Sequence, residues 1–365
     1  MDCINRYLEC SALRAAMDYV DDFHADFIEI KSLKVSDHDK ALLQQICHPY
    51  TENKIRYVII ERGLSGAVKL VAKPECLFPL FIKLDDAEAI KREETGDRLI
   101  RNRVPPLSIP PLENVILCEN RGAIAYRYVT GGRVRHLIRR FDTALGELST
   151  YNALAIIDDI YDVILKKCHW LDGQYKMSPI TLPEMSTTSE LNSDSQWVDI
   201  VSRYDNVRKV CSRIQAPHAV VHGDLHAKNI LITRDDAPVL IDFSMARTDT
   251  CQYLDFAKFE SYLQFQINGL LADEMWRIES LMYGDTSLII PHSNSKLAAC
   301  IHRIRSNLWQ GCTRQSLQMN SEDIDLGYRG YLIYCLMRFY SRGSNSTDSR
   351  NRAYHQLTHL IRKYD

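Results

Sequence analysis

The chain lacks a bulk charge, since 45 Lys and Arg against 47 Asp and Glu leave a formal net charge of −2 over 365 residues. No whole-molecule field gathers nucleic acid or anionic membrane, so neither is expected as a partner and recognition must rest on a local site. Also missing is any run near the ~18 consecutive apolar residues of a membrane helix. The opening MDCINRYLECS has neither the basic nor the apolar region of a secretory leader. A soluble, cytoplasmic protein is the expectation. Gly (15) and Pro (12) are too scarce for a fibrous or low-complexity chain. The 11 Cys, spread from Cys3 to Cys335, form no CxxC and no Cys/His pair at structural-zinc spacing. Reduced thiols, mostly buried as small hydrophobes, follow.

What is present is an average globular composition, 45% hydrophobic and 25% charged. At roughly 150 residues per domain, the length allows about two domains or one two-lobed enzyme. Ile4, Leu8, Ala15 and Val20 recur at helical spacing, Phe27, Ile28 and Ile30 suggest a short strand, and Ser36 with Asp39 predicts a capped helix. From Lys54 the texture turns to β: IRYVIIERG, AVKLVA and CLFPLFIKL predict three strands. DAEAIKREETGDRLIRN then predicts an exposed helix weakened by Gly96, ended by VPPLSIPPLE. ENVILCEN and GAIAYRYV read as further strands, with Thr130, Gly131 and Gly132 as a break. Beyond it the chain is mainly helical, with a polar, Pro/Ser/Thr-rich insertion over 172–196.

The most informative stretch is HAVVHGDLHAKNILI followed by APVLIDF. Read as a hairpin, its turn region gathers Asp224, Asn229 and Asp242. Two such groups can hold a hard divalent cation through oxygen, and the remaining carboxylate can accept a proton from a hydroxyl nucleophile. That is equipment for phosphoryl transfer, in which positioning and charge neutralisation supply nearly all the catalysis. An Asp-rich turn with ordinary Asx caps is the plainer alternative.

HGDLHAKNIL with LIDF resembles the catalytic and metal-binding loops of the aminoglycoside phosphotransferase and choline kinase group of the protein-kinase-like superfamily. Compared with the HRDxxxxN and DFG signatures of protein kinases, Gly223 replaces the Arg and Ser244 the final Gly. The resemblance implies Asp224 as catalytic base, Asn229 and Asp242 as ligands of Mg²⁺ on ATP, His222 as a structural brace and His226 as a loop-ordering residue. It implies a phosphate loop at Gly63, Ser65 and Gly66, a phosphate-binding Lys83, and a helix carboxylate paired with Lys83. Glu93 is preferred to Glu94 for that pairing. Adenine would meet the backbone around Tyr128. Asp255, in CQYLDFAKFE, reads equally as a brace of the catalytic loop or as a helix-start Asp favoured by the macrodipole. RVRHLIRR (Arg133, Arg135, Arg139, Arg140) reads as a solvated helix face or as a guide for an acidic substrate.

Gly223 and the short stretch from Asp242 to Asp255 argue against activation-loop phosphorylation and an extended peptide platform. The first ~50 residues are more than a small lobe needs, and this extension, together with the modest SGA-type loop, resembles more loosely the bacterial kinase-like domains described as ternary-complex-associated. The expectation is an α+β, bilobal protein-kinase-like fold with a β-rich small lobe and a mainly helical large lobe. Its divisions are a helical extension (1–53), a nucleotide-binding lobe (54–130) and a catalytic lobe (131–365). The expected activity is ATP- and Mg²⁺-dependent phosphoryl transfer to a hydroxyl acceptor, with a protein partner left open. The alternatives are an atypical protein kinase, a nucleotidyltransferase on the same fold and a silent nucleotide-binding scaffold.

Overall fold

The computed structural model describes residues 28–50, 54–62, 67–74, 79–127, 139–169, 177–185, 194–233, 235–265, 296–314, 319–341 and 347–365. The N-terminal helix, the glycine loop (Gly63, Ser65, Gly66), Tyr128, Arg133, Arg135 and most of the 172–196 insertion lie outside them. The chain divides into two compact units, Met1–Arg140 with Ile230–Ala246, and Phe141–Asn229 with Arg247–Asp365. This division is not linear in sequence: the segment carrying Asp242 belongs to the first unit, and the one carrying Asp224 and Asn229 to the second.

In chain order the first unit opens with α1 (Asp37–Ile46), β1 (Ile55–Arg62), β2 (Val68–Pro74), β3 (Leu80–Asp86) and α2 (Ala87–Arg101). β4 (Leu112–Leu117), β5 (Arg121–Arg127) and the short β6 (Arg139–Arg140) follow. The second unit begins with α3 (Phe141–Glu147) and α4 (Thr150–Asp159), which runs through a π-helical turn (Ile160–Leu165) into α5 (Lys166–His169). After β7 (Met177–Pro179) come α6 (Ser195–Cys211) and β8 (Gln215–Val221). β9 (Ile230–Ile232) and β10 (Pro238–Leu240) return to the first unit. β11 (Arg247–Cys251), α7 (Tyr253–Phe265), α8 (Lys296–Arg314), α9 (Ser321–Tyr340) and α10 (Thr347–Ile361) complete the second.

The main sheet of the first unit is antiparallel, in the order β1-β2-β3-β5-β4. Its period-two alternation decides the layers. Leu70, Ala72, Leu80, Ile82, Leu84, Ala123 and Ala125 face one way and join Leu42, Leu43 and Ile46 of α1 in one core. Each buried Leu or Ile among them contributes roughly 1.5–3 kcal/mol. The helix predicted from Ser36 is therefore part of the small unit's core, and the Ser36 side chain accepts the Asp39 N–H at 3.0 Å. Phe81, Ile124 and Tyr126 face the other way and pack with Ile90 of α2. Lys83 shares the parity of Phe81, which aims it at that helix.

Two expectations need correction. Ile28 makes a single bridge to Tyr57, and Ile30–Ser32 form a 3-10 turn, so the described residues there form no strand. The stretch bearing Asp224, Asn229 and Asp242 is not one hairpin. β8 pairs with β7 and β11, whereas β9 pairs with β10 and β6. A 3-10 turn, Ala227–Asn229, separates β8 from β9, and both edges of β8 are already taken by β7 and β11. In the second unit α9 is buried around nearly its whole circumference, which makes it the central helix, packed on α7 and α10.

Candidate functional site

α2 buries Ile90, Glu93, Asp97 and Ile100 along one stripe. That periodicity separates the two glutamates. Glu93 faces the sheet, and Glu94 points outward to Arg98. Lys83 Nζ donates to Glu93 Oε2 at 2.9 Å and to Asp242 Oδ1 at 3.1 Å. The other Glu93 oxygen accepts the Phe243 N–H at 2.9 Å and the Tyr126 hydroxyl at 3.3 Å. Lys69, directly across from Lys83 on β2, donates to Asp242 Oδ2 at 3.3 Å. Asp242 itself sits at φ 66°, in the left-handed region that a non-glycine residue enters at a cost.

Burial works against the Lys83 ammonium, but Glu93 and Asp242 outweigh it and raise its pKa. For Asp242 burial is likewise overcome, by Lys83 and Lys69, and its carboxyl is held well below the usual range. Glu93 moves upward because burial and the charge of Asp242 exceed the pull of Lys83. Gly96 explains how α2 comes so close. A Cβ there would lie 1.9 Å from the Phe243 carbonyl oxygen, so the glycine that weakens the helix also admits the backbone beside Asp242.

The second unit carries a different cluster. Asp255, fully buried near the start of α7, accepts the N–H of His222 and of Gly223, each at 2.8 Å. Gly223 adopts φ 77° between those contacts and Asp224. His222 is buried and its Nδ1 accepts the Asp224 N–H at 3.4 Å. His226 Nε2 lies 3.5 Å from Asp224 Oδ2 and its ring stacks on Tyr262, with centroids 4.9 Å apart. Lys258 Nζ approaches Asp224 Oδ1 at 2.9 Å. Burial opposes ionisation of Asp224, yet the His226 hydrogen bond and the Lys258 charge hold its carboxyl well below the usual range. Asn229 is buried and its Nδ2 donates to the Asp224 carbonyl at 3.0 Å.

The comparisons fit this layout. A model of ternary complex associated domain 9 matches residues 196–322. The aminoglycoside phosphotransferase APH(4)-Ia superposes with a TM-score of 0.53 at 10% identity, over 89% of this chain and 98% of that one. Choline kinase LicA from Streptococcus pneumoniae gives 0.52 at 10% identity, over 90% and 100%. An ethanolamine kinase of Plasmodium vivax gives 0.50 at 14% identity, over 92% and 91%. The chain has a protein-kinase-like fold. A comparison with curated protein sequences finds no match.

Asp242, in the first unit, carries carboxylate oxygens and Asn229, in the second, an amide oxygen, each a hard donor of the kind Mg²⁺ takes. Sequence reasoning missed Lys69, Tyr126 and Lys258. Lys69 and Tyr126 had a signal in strand parity, since each shares the face of Lys83. Lys258 lies three residues after Asp255, nearly one helical turn, a spacing that becomes legible only once Asp255 is known to grip the loop. Arg139 and Arg140 form β6 rather than a helix face. Among the described residues, no helix is long and apolar enough to cross a membrane.

Proposed function

We propose that the chain is an ATP- and Mg²⁺-dependent phosphotransferase that moves the γ-phosphoryl group to a hydroxyl of a small-molecule acceptor. By the resemblance, Lys83 would steady the α- and β-phosphates, and the phosphate loop and the adenine contact would fall to Gly63, Ser65, Gly66 and Tyr128, which lie outside the described residues. Asn229 and Asp242 would hold Mg²⁺, which when bound neutralises phosphate charge. Asp224 accepts the hydrogen bond of the acceptor hydroxyl. As the bond between that oxygen and the γ-phosphorus forms and the bond to the ADP oxygen breaks, the hydroxyl proton passes to the Asp224 carboxylate. Because that carboxylate is held ionised, its first role is orientation, and proton uptake comes late.

The observation that carries this reading is Lys83 clamped between Glu93 and Asp242, with Asp242 in a strained conformation. A purely structural ion pair needs neither the strain nor the second carboxylate. The fold shared with aminoglycoside, choline and ethanolamine kinases supports the reaction class, and the absence of Arg at Gly223 favours a small acceptor.

Incubation with ATP labelled at the α or γ position, with cell extract as acceptor, tests it. Transfer of γ-label to the small-molecule fraction is the expected result. Label in protein indicates a protein kinase, and transfer of α-label indicates nucleotidylation. Asp242→Ala should abolish Mg²⁺-dependent nucleotide binding by calorimetry. Unchanged binding there, with no labelling, leaves a scaffold.

A further inference from the structure

We infer that Lys258 is a positioning residue for the transfer: it holds Oδ1 of the Asp224 carboxylate, so that Oδ2 is the oxygen that meets the acceptor hydroxyl. What Asp224 does is taken from the phosphotransferase reading, on which this inference rests. What Lys258 touches is a matter of distances within the second unit.

α7 reaches the HGDLH loop at Asp255, Lys258 and Tyr262, spaced i, i+3 and i+7, which puts them along one stripe of the helix. Each holds a different part of the loop. Asp255 accepts the His222 and Gly223 N–H groups, each at 2.8 Å, and fixes the backbone. Tyr262 stacks on the His226 ring and donates its hydroxyl to Asp142 Oδ2 of α3 at 3.4 Å, which ties down the other end of the stripe. Lys258 lies between them. Its Nζ is 2.9 Å from Oδ1 of Asp224, whose carboxylate is the one group that the backbone grip leaves free to turn. Asp255 and Asp142, the other carboxylates of the cluster, accept from the backbone and from Tyr262, and Lys258 makes no ion pair besides Asp224 among the described residues.

The two oxygens of Asp224 are therefore held unequally. Oδ1 carries an ammonium whose side chain is only 14% exposed. The neighbour of Oδ2 is His226 Nε2 at 3.5 Å, longer than an ordinary N–H···O bond. With a third of the Asp224 side chain exposed, Oδ2 is the oxygen with lone pairs left for a hydroxyl. A nearly buried ammonium is costly to desolvate, and α7 is buried at nearly every position, so an apolar residue would serve its packing as well. Stability does not account for a lysine here, whereas aiming a carboxylate does. As the acceptor oxygen bonds to the γ-phosphorus and the bond to the ADP oxygen breaks, the proton moves to Oδ2 and Lys258 stays on Oδ1. Without Lys258 the carboxylate is free to rotate away from that geometry.

Loss of γ-label from ATP, to water or to an acceptor in cell extract, is followed for the full chain, Lys258→Met, Asp224→Asn and the double variant, with nucleotide binding measured by calorimetry. Lys258→Met should lower the rate at saturating ATP by about 10- to 100-fold, the usual result of a small misplacement. The half-saturating ATP concentration and the nucleotide affinity should stay within about twofold. In the Asp224→Asn background the same substitution should cost no more than about twofold, because Lys258 acts only through that carboxylate. A full loss in both backgrounds, an unchanged rate, or weakened nucleotide binding overturns the inference, the last by placing Lys258 on the ATP phosphates. Acylation of lysines by acetic anhydride, read by mass spectrometry on the wild-type chain and on Asp224→Asn, decides even where Lys258→Met fails to fold. Lys258 should react about tenfold faster once its carboxylate partner is gone, and equal reactivity overturns the inference. If the wild-type chain releases no γ-label at all, the phosphotransferase reading falls and this inference with it; release with additive losses removes this inference alone.

Discussion

The two charge clusters are built on opposite plans. In the first unit Lys83 and Glu93 are almost sealed, with side-chain exposures of 8% and 1%, and every contact runs between side chains of different elements or to the Phe243 N–H. In the second unit the geometry comes from the backbone, as Asp255 grips two consecutive N–H groups and leaves Asp224 with 33% of its side chain exposed. A sealed pair keeps one cation in one place, whereas a gripped loop keeps one carboxylate in place while its oxygens stay accessible. The first plan suits a partner that is always the same, such as phosphates. The second suits a group that must meet and release an acceptor.

The sharpest way to break this contrast is Asp224→Asn. If the second cluster acts on the acceptor, turnover falls by ~10²–10⁴-fold, the usual worth of a positioned base, while nucleotide affinity measured by calorimetry stays nearly unchanged. An equal loss of both would mean that the clusters do not divide the work.

Next in size is Asp255→Ala. It strands the His222 and Gly223 N–H groups, each costing about 1–3 kcal/mol when buried without an acceptor. Hydrogen exchange should rise in peptides covering β8 and the Asp224 loop and stay unchanged in β3 and α2. Uniform exchange would deny the grip.

Gly96→Ala attacks the first cluster from behind. The new methyl group meets the Phe243 carbonyl, which is backbone and cannot step aside, so α2 or the Asp242 segment must shift at a cost of about 1–3 kcal/mol. Nucleotide affinity should weaken more than turnover at saturating ATP. Wild-type affinity in this variant would show that the close approach of α2 is not needed.

Much of this was legible where chemistry is local. The strand parity that aims Lys83 at α2 and the helical stripe that selects Glu93 over Glu94 both follow from period alone. The linear pattern failed where the chain leaves one sheet for another. Asp224, Asn229 and Asp242 lie close in sequence, which made one hairpin the simplest reading, but β8 finds its partners in β7 and β11, distant in sequence. Gly96 was read by its helix propensity, and only the approach of Phe243 gives it a purpose. Lys258 sits on a helix that is buried at nearly every position, so nothing local marks it.

Acid separates the clusters by sign, with the smallest effect. Asp224 has a lowered folded pKa, so its contribution to stability is complete above the unfolded value near 3.9 and is lost as pH falls through the folded one. The gap in melting temperature between wild type and Asp224→Asn should therefore stay flat from neutral pH to about 5 and narrow below about 4. Glu93 runs the other way. Its raised pKa means that the fold favours the protonated form, so wild type gains on Glu93→Gln as pH falls from neutral towards about 4. Asp242, held low beside it, begins to titrate only below that window. Parallel pH profiles for the two variants would show that burial, which opposes ionisation of both Asp224 and Glu93, decides both sites. Divergent profiles would show that the accessible carboxylate is held by its cations, as an acceptor site requires.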